Sequence, residues 1–314
     1  MGKENNPFAP VSRLDAAESA FFTRELEYIK AQTYDIKYKQ LKAFDLIPIS
    51  SEVGAGATEI TWRQFYAVGI AKIIQDYAKD FPRVDTYGVE NTVKVKSLGA
   101  SYGWTIQELR QSQMTNKRLD QRRAEIARRA IEELINTIGL TGDSNSGLLG
   151  LINYPGITQA TIPADGTGSA TTWVSKTPDQ IIRDVLNLTN AIVAVTNGRE
   201  MPDHLLLPLA QFNDISTRRI STVSDTTLLQ YILKTSPYIK VIDWLVELKG
   251  AGSGSTDRAL MYTMDPMHLT LEIPQQFEQF DAIQDGMFFQ VPCHARLGGV
   301  IVYYPQSISY GDGI

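Results

Sequence analysis

Between Thr92 and Ile157 the chain passes from a strand-like segment into a long amphipathic helix and then into a glycine-rich turn, and this succession limits the fold more than any other feature. From Lys117 to Ile138, the residues Leu119, Ile126, Ala127, Ala130, Ile131, Leu134, Ile135 and Ile138 recur at helical spacing, which predicts one apolar face. Asn116 is placed to cap its start, and Gly139 to take a left-handed position just past its end. The other face carries Arg122, Arg123, Glu125, Arg128, Arg129, Glu132 and Glu133, with Glu125 at pairing distance from Arg128 and Arg129. The following Gly142-Asp143-Ser144-Asn145-Ser146-Gly147 run favours positive φ and side-chain bonds to its own backbone, so it predicts a sharp turn. Asp143-x-Asn145 resembles the opening of a calcium loop, but the later carboxylate ligands are missing, and no metal site is expected.

Upstream, Thr58–Tyr66 and Thr92–Ile106 read as strands, punctuated by Gly54, Gly56, Gly69, Gly88, Gly99 and Gly103. The Val53–Ala57 segment lacks the Gly-Lys-Ser/Thr ending of a phosphate cradle and precedes a strand, so no nucleotide is expected there. Residues 1–12 are rich in Gly, Asn and Pro, and Leu14–Lys42 carries Phe21, Phe22, Leu26 and Ile29 at helical intervals. An arm ordered against a neighbour and an ordinary surface helix both fit that pattern.

Downstream, Gln159–Ser175 is poor in charge and reads as an exposed loop or ribbon joining two lobes. Thr177-Pro178-Asp179-Gln180 predicts a capped helix start, Ile181, Ile182, Val185, Leu186, Ile192 and Val195 its buried stripe, and Gly198 its stop. His204–Leu207 and Ile239–Leu248 read as strands, with helices over Leu209–Ile220 and Thr226–Thr235 between them. Gly250–Ser255 reads as a flexible connection. The closing strands, Arg258–Met264, His268–Ile273 and Met287–Tyr304, are expected to complete sheets begun earlier, making the domains discontinuous.

Chemistry finds little footing. His204, His268 and His294 stand far apart in sequence, and the single cysteine, Cys293, adjoins His294 on a strand where neighbours face opposite ways. No metal, thiol, nucleophile-elbow or dinucleotide motif occurs in a fitting context, so no catalytic residue, cofactor or metal is expected. With 30 Lys+Arg against 35 Asp+Glu there is no overall basic field to grip nucleic acid. No apolar run approaches the length of a membrane span.

In its order of segments the chain resembles the tailed-bacteriophage major capsid proteins, a fold shared with encapsulin shells. The match rests on the arm, the Gly-punctuated loop, the spine helix ending in Gly142-Asp143, the Gly147-Leu148-Leu149-Gly150-Leu151 turn, and the Asp203–Pro208 strand leading into a helix. The resemblance implies an α+β phage major-capsid fold with an N-terminal arm (1–45), an extended β-hairpin loop (46–92), a peripheral domain with the spine helix (93–160 and 262–300) and an axial domain (161–261 and 301–314). It implies a structural protein, not an enzyme, that self-assembles through pentamers and hexamers into an icosahedral shell enclosing phage double-stranded DNA without sequence specificity. Assembly would take place in the host bacterial cytoplasm, with no membrane, and with separate scaffold, portal or decoration proteins as further partners. Relatives often carry a scaffolding segment before the arm; its lack here implies a separate scaffold or none. Phe21, Phe22, Trp62, Phe65, Tyr66, Arg122, Glu125 and Arg129 are the expected subunit-interface residues. An encapsulin-like protein compartment is the alternative, and a small-molecule enzyme of α+β fold a distant one.

Overall fold

Every large sheet of the molecule joins strands from distant parts of the chain. In the computed structural model the described residues are 38–73, 83–115 and 119–314, and the unit treated below is Leu41–Ile314. Phe21, Phe22 and Asn116 lie outside the described residues. In order, the elements are α1 (Ala43–Leu46), β1 (Ile49–Ser50), β2 (Glu59–Val68), β3 (Asp85–Lys94), β4 (Lys96–Thr105), α2 (Ile106–Thr115), α3 (Leu119–Thr141), β5 (Thr158–Ala160), α4 (Pro178–Thr196), β6 (His204–Leu207), α5 (Leu209–Thr217), α6 (Leu228–Thr235), β7 (Val241–Trp244), β8 (Arg258–Tyr262), β9 (Leu269–Glu272), β10 (Gln275–Gln279), β11 (Ile283–Asp285), β12 (Phe288–Leu297), β13 (Gly299–Val302) and β14 (Ile308–Asp312).

A five-stranded sheet in the order β5-β14-β8-β6-β7 divides two cores. Because side chains alternate across a strand, Leu205, Leu207, Ala259 and Met261 point to one core with Ile181, Val185, Leu188 and Ile192 of α4. Leu206, Leu260, Tyr262 and Tyr310 point to the other, with Ile131, Ile135 and Ile138 of the spine helix α3. Burial on both faces explains the unbroken apolar run Leu205–Leu207. Beside it, β4 runs antiparallel along the whole of β12, from Lys96↔Leu297 to Thr105↔Phe288, and β1 pairs in parallel with β9.

Several expectations shift. α3 does not stop at Gly139 but continues to Thr141, and Gly142 takes the left-handed φ of 72°. Gly139 sits inside the helix, against Ala43 and Leu271. Of the described residues expected on the apolar face, Ala127, Ile131, Ile135 and Ile138 are buried, whereas Ile126 and Leu134 are 61% and 44% exposed, and Ala130 is exposed beside them. On α4, Leu186 and Val195 are likewise exposed while Leu188 is buried, and Asn197 (φ 51°) closes the helix one residue before Gly198. Thr177 and Gln180 form the expected reciprocal cap. Ile239–Leu248 divides into β7 and a short 3-10 turn over Val246–Leu248. Met287–Tyr304 breaks at Gly298 into β12 and β13.

Gln159–Ser175 is exposed over much of its length, as expected, but it is anchored at Ile162 and Trp173. Trp173 is 1% exposed, and its indole N–H donates to Asp184 at 3.1 Å, while the buried Lys176 ammonium donates to the same carboxylate at 2.6 Å. Burial drives the Asp184 carboxyl above its ordinary range despite Lys176. Residues 42–46, counted above with the arm and at the head of the loop, are anchored. Lys42 donates to Asp243 and the Trp244 carbonyl (2.8 and 2.7 Å), and the Ala43 N–H to Asn136 of α3 (2.9 Å).

The Gly250–Ser255 tract is fixed and not flexible, because two carboxylates bind its backbone. Asp257 accepts from the Gly250 N–H (3.0 Å) and Asp312 from the Ser253 N–H (2.9 Å). Asp312 also takes a forked bond from Arg258 (2.6 and 2.9 Å), whose guanidinium donates to the Ile152 carbonyl (2.6 Å) and lies 4.3 Å from the Tyr310 ring centre. Burial lifts the Asp312 carboxyl, but Arg258 and the Ser253 N–H outweigh it, and the net shift is downward. The pair therefore stabilises the fold above the ordinary aspartate range and loses that contribution as pH falls through the depressed folded value. Asp312→Ala, which leaves Arg258 buried without its partner, is expected to cost about 3 kcal/mol in urea unfolding at pH 7. The difference from the parent should narrow in acid; a constant gap down to pH 2 would show that packing, not charge, carries the effect.

Candidate assembly interface

The hairpin of β2 and β3 is joined by the register Glu59↔Lys94 through Val68↔Asp85. Cross-strand partners are matched in chemistry: Thr61 and Thr92 share a hydroxyl bond at 2.9 Å, and Arg63 and Glu90 an ion pair at 2.7 Å. Its base is pinned to the body. The Trp62 ring meets Tyr303 edge-on at 5.9 Å, and the Gln64 amide donates to the Tyr303 carbonyl. Beyond the base the hairpin has little to lean on: Phe65, Val68, Ile70, Ile73 and Val84 are 58% to 100% exposed. A two-stranded ribbon is marginal by itself, and this many uncovered apolar side chains on one ribbon make it a candidate contact surface.

Between the hairpin base and the β9–β13 edge lies an open groove of about 1120 Å³, lined by Glu52, Trp62, Phe65, Tyr66, Thr270, Tyr303 and Tyr304 among others. Trp62, Phe65 and Tyr66, expected at the interface, are thus brought to one wall. Arg122, Glu125 and Arg129 stand apart from it on the spine helix, where Arg128 pairs with Glu132 (2.7 Å) and Arg129 with Glu133 (2.8 Å). The stripe Ile126–Ala130–Leu134 runs along the exposed side of the same helix, at i, i+4, i+8. Sequence reading merged it with the buried stripe because both obey the same period. Tyr303 and Tyr304 were missed because their exposure depends on where β13 ends against the hairpin. The helix α2 was missed as well, although Thr105-x-x-Glu108 is its reciprocal cap: each backbone N–H bonds the other's side chain at 3.2 Å.

Groups with chemical potential are tied up structurally. His204 bonds Asp203 and His268 bonds Glu200, each at 2.7 Å, and burial raises the Cys293 thiol above its ordinary range. Asp143 accepts from the Asn145 and Ser146 N–H groups (3.1 and 3.2 Å), as a turn aspartate does. Among the described residues no group of three or more His, Cys, Asp and Glu is placed to hold a metal, and no helix is long and apolar enough to cross a membrane.

A long spine helix, a sheet shared by distant strands and a projecting apolar hairpin define a subunit built to meet other subunits, a structural shell protein. The chain belongs to the major capsid protein family, whose model matches residues 69–314. Solved structures agree on the fold. The capsid of Myoviridae Phage XM1 is similar at TM-score 0.78 and 18% identity, covering 93% of this chain and 98% of that one. A chain from Mycobacterium phage Bobi is similar at 0.60 and 13%, covering 96% and 98%. The capsid of a native GTA particle is similar at 0.60 and 11%, covering 94% and 98%. A comparison with curated protein sequences finds no match. The protein is a structural component of a virion capsid.

Proposed function

We propose that many copies of this chain, as pentamers and hexamers, close into an icosahedral shell that encloses double-stranded DNA without reading its sequence. The observation that carries this is the hairpin, whose apolar side chains the subunit itself leaves uncovered. Membership of the capsid family supplies the reason for many copies. Many modest contacts per subunit suffice, because closure makes each further contact intramolecular. The near-balanced charge, 30 Lys+Arg against 35 Asp+Glu, favours a wall that tolerates DNA without gripping it. We assign 93–160 and 262–300 to the peripheral part and 161–261 and 301–314 to the axial part. Arg122, Glu125 and Arg129 are assigned to contacts between spine helices, and assembly to the host cytoplasm, with separate scaffold or portal proteins as partners.

The test is the mass of the purified protein by light scattering, with negative-stain microscopy. With a chain of 34.9 kDa, a shell on the order of sixty copies weighs ~2 MDa. Hollow particles of that mass or more are expected. A species that stays near one subunit mass, even when co-expressed with its scaffold, would overturn the reading.

A further inference from the structure

Behind the groove wall lies a charge that the subunit does not balance. Glu272 is 2% exposed; its Oε1 accepts from Thr270 at 2.7 Å and from the Tyr303 hydroxyl at 3.4 Å, whereas Oε2 has no hydrogen-bond partner. Glu52, exposed, lines the groove in front of it. Among the described residues no ion pair within 4.0 Å reaches either carboxylate, and Arg63, the cation on the groove wall, is taken by Glu90 at 2.7 Å. Burial first, and the charges of Glu272 and Glu52 behind it, push the Tyr303 hydroxyl above the ordinary phenol range against its bond with Thr270. A buried carboxylate without a counter-charge is costly, so the site stands ready for a cation.

The walls suit the same guest. Trp62, Phe65, Tyr66, Tyr303 and Tyr304 line the groove, and aromatic rings attract ammonium and guanidinium groups. A second copy of the chain offers such a guest on its distal hairpin, where the exposed Arg83 adjoins Val84, 69% exposed, and Ile70 and Ile73, 77% and 100% exposed, follow the end of β2. A cation with apolar shoulders matches an acidic groove with aromatic walls, and a tip-to-base contact is head-to-tail, the kind that closes rings.

We propose that this groove receives a Lys or Arg side chain of a neighbouring copy, seated against the aromatic faces and Glu52 with Glu272 behind them. The assignment rests on the shell reading. Its decisive experiment is a side-chain-resolution cryo-EM reconstruction of the wild-type particle. A Lys or Arg nitrogen from another copy is expected within about 4 Å of Glu52 and over one of the rings. Water, a small ion, only apolar side chains, or a residue of the same copy in the groove would overturn the assignment while the shell reading stands; no particles at all would overturn both.

Glu272→Gln separates docking from a merely structural role. Removing an unpaired charge should leave the unfolding midpoint of the free subunit unchanged or higher. The concentration needed for assembly should rise about tenfold or more. A lowered midpoint with unchanged assembly would show that Glu272 serves only the fold of its own subunit.

Discussion

Replacing residues 67–86 by an Asn-Gly turn is expected to yield a folded subunit that forms no particles. Tyr66 and Tyr87 face each other in the hairpin register, so a two-residue turn can join them without disturbing the strands below. The cut removes Val68, Ile70, Ile73 and Val84, each more than half exposed and therefore contributing little to the subunit's own core. It keeps Trp62 and Gln64, which anchor the base to Tyr303. The unfolding free energy should stay within about 1 kcal/mol of the parent, since surface changes away from cores and caps are small. Assembly, which sums the same contact over every copy, should be lost altogether, and light scattering would find only subunits or small oligomers. Full-sized particles from this variant would show that the hairpin is not a contact between copies, whereas failure to fold would show that the distal hairpin belongs to the core.

The elements that sequence made legible are those whose signal is local. The reciprocal cap at Thr177 and Gln180, the both-faces-buried strand at His204–Leu207 and the spine helix all carry their physics within a few residues. Where the deciding partner lies far away, the reading failed. Trp173 looks like a loop residue until it joins a core with Leu205, Ile215 and Ile314, and the Gly-Ser tract looks loose until Asp312, 59 residues on from Ser253, binds its backbone. Gly139 is a good candidate for a helix stop by type; it remains helical because α1 and Leu271 pack against its bare backbone. The candidate interface was half legible for the same reason. Phe65 and Tyr66 announce an apolar ribbon by themselves, but Glu52 and Tyr303 line one groove, with Glu272 behind it, only when β1, β9 and the end of β13 come together beside the hairpin.

Gly150→Ala is expected to be the most damaging single methyl group in the post-spine turn. The turn folds straight back on the end of the spine helix. Leu151 and Ile152 donate to the Gly139 and Leu140 carbonyls at 3.0 and 2.9 Å, and Asp143 and Leu148 bond each other both ways. It is also tied to β13, far along the chain, since the Val300 N–H donates to the Leu149 carbonyl at 3.1 Å. A Cβ on Gly150 would lie 2.3 Å from the Gly142 nitrogen and 2.6 Å from the Leu140 oxygen, both backbone atoms inside that lock. Neither can yield without parting the turn from the helix, so the cost should exceed about 3 kcal/mol, above the usual range for overpacking. Gly147→Ala is the control in the same turn: its φ is 71°, but a Cβ there meets nothing within 4 Å. It should cost only the left-handed strain, about 1 kcal/mol. Urea unfolding of the two variants against the parent distinguishes crowding from conformation. Equal losses would mean that backbone strain alone governs the turn, and a mild Gly150→Ala would mean that the helix end and the turn are not locked together as their hydrogen bonds indicate.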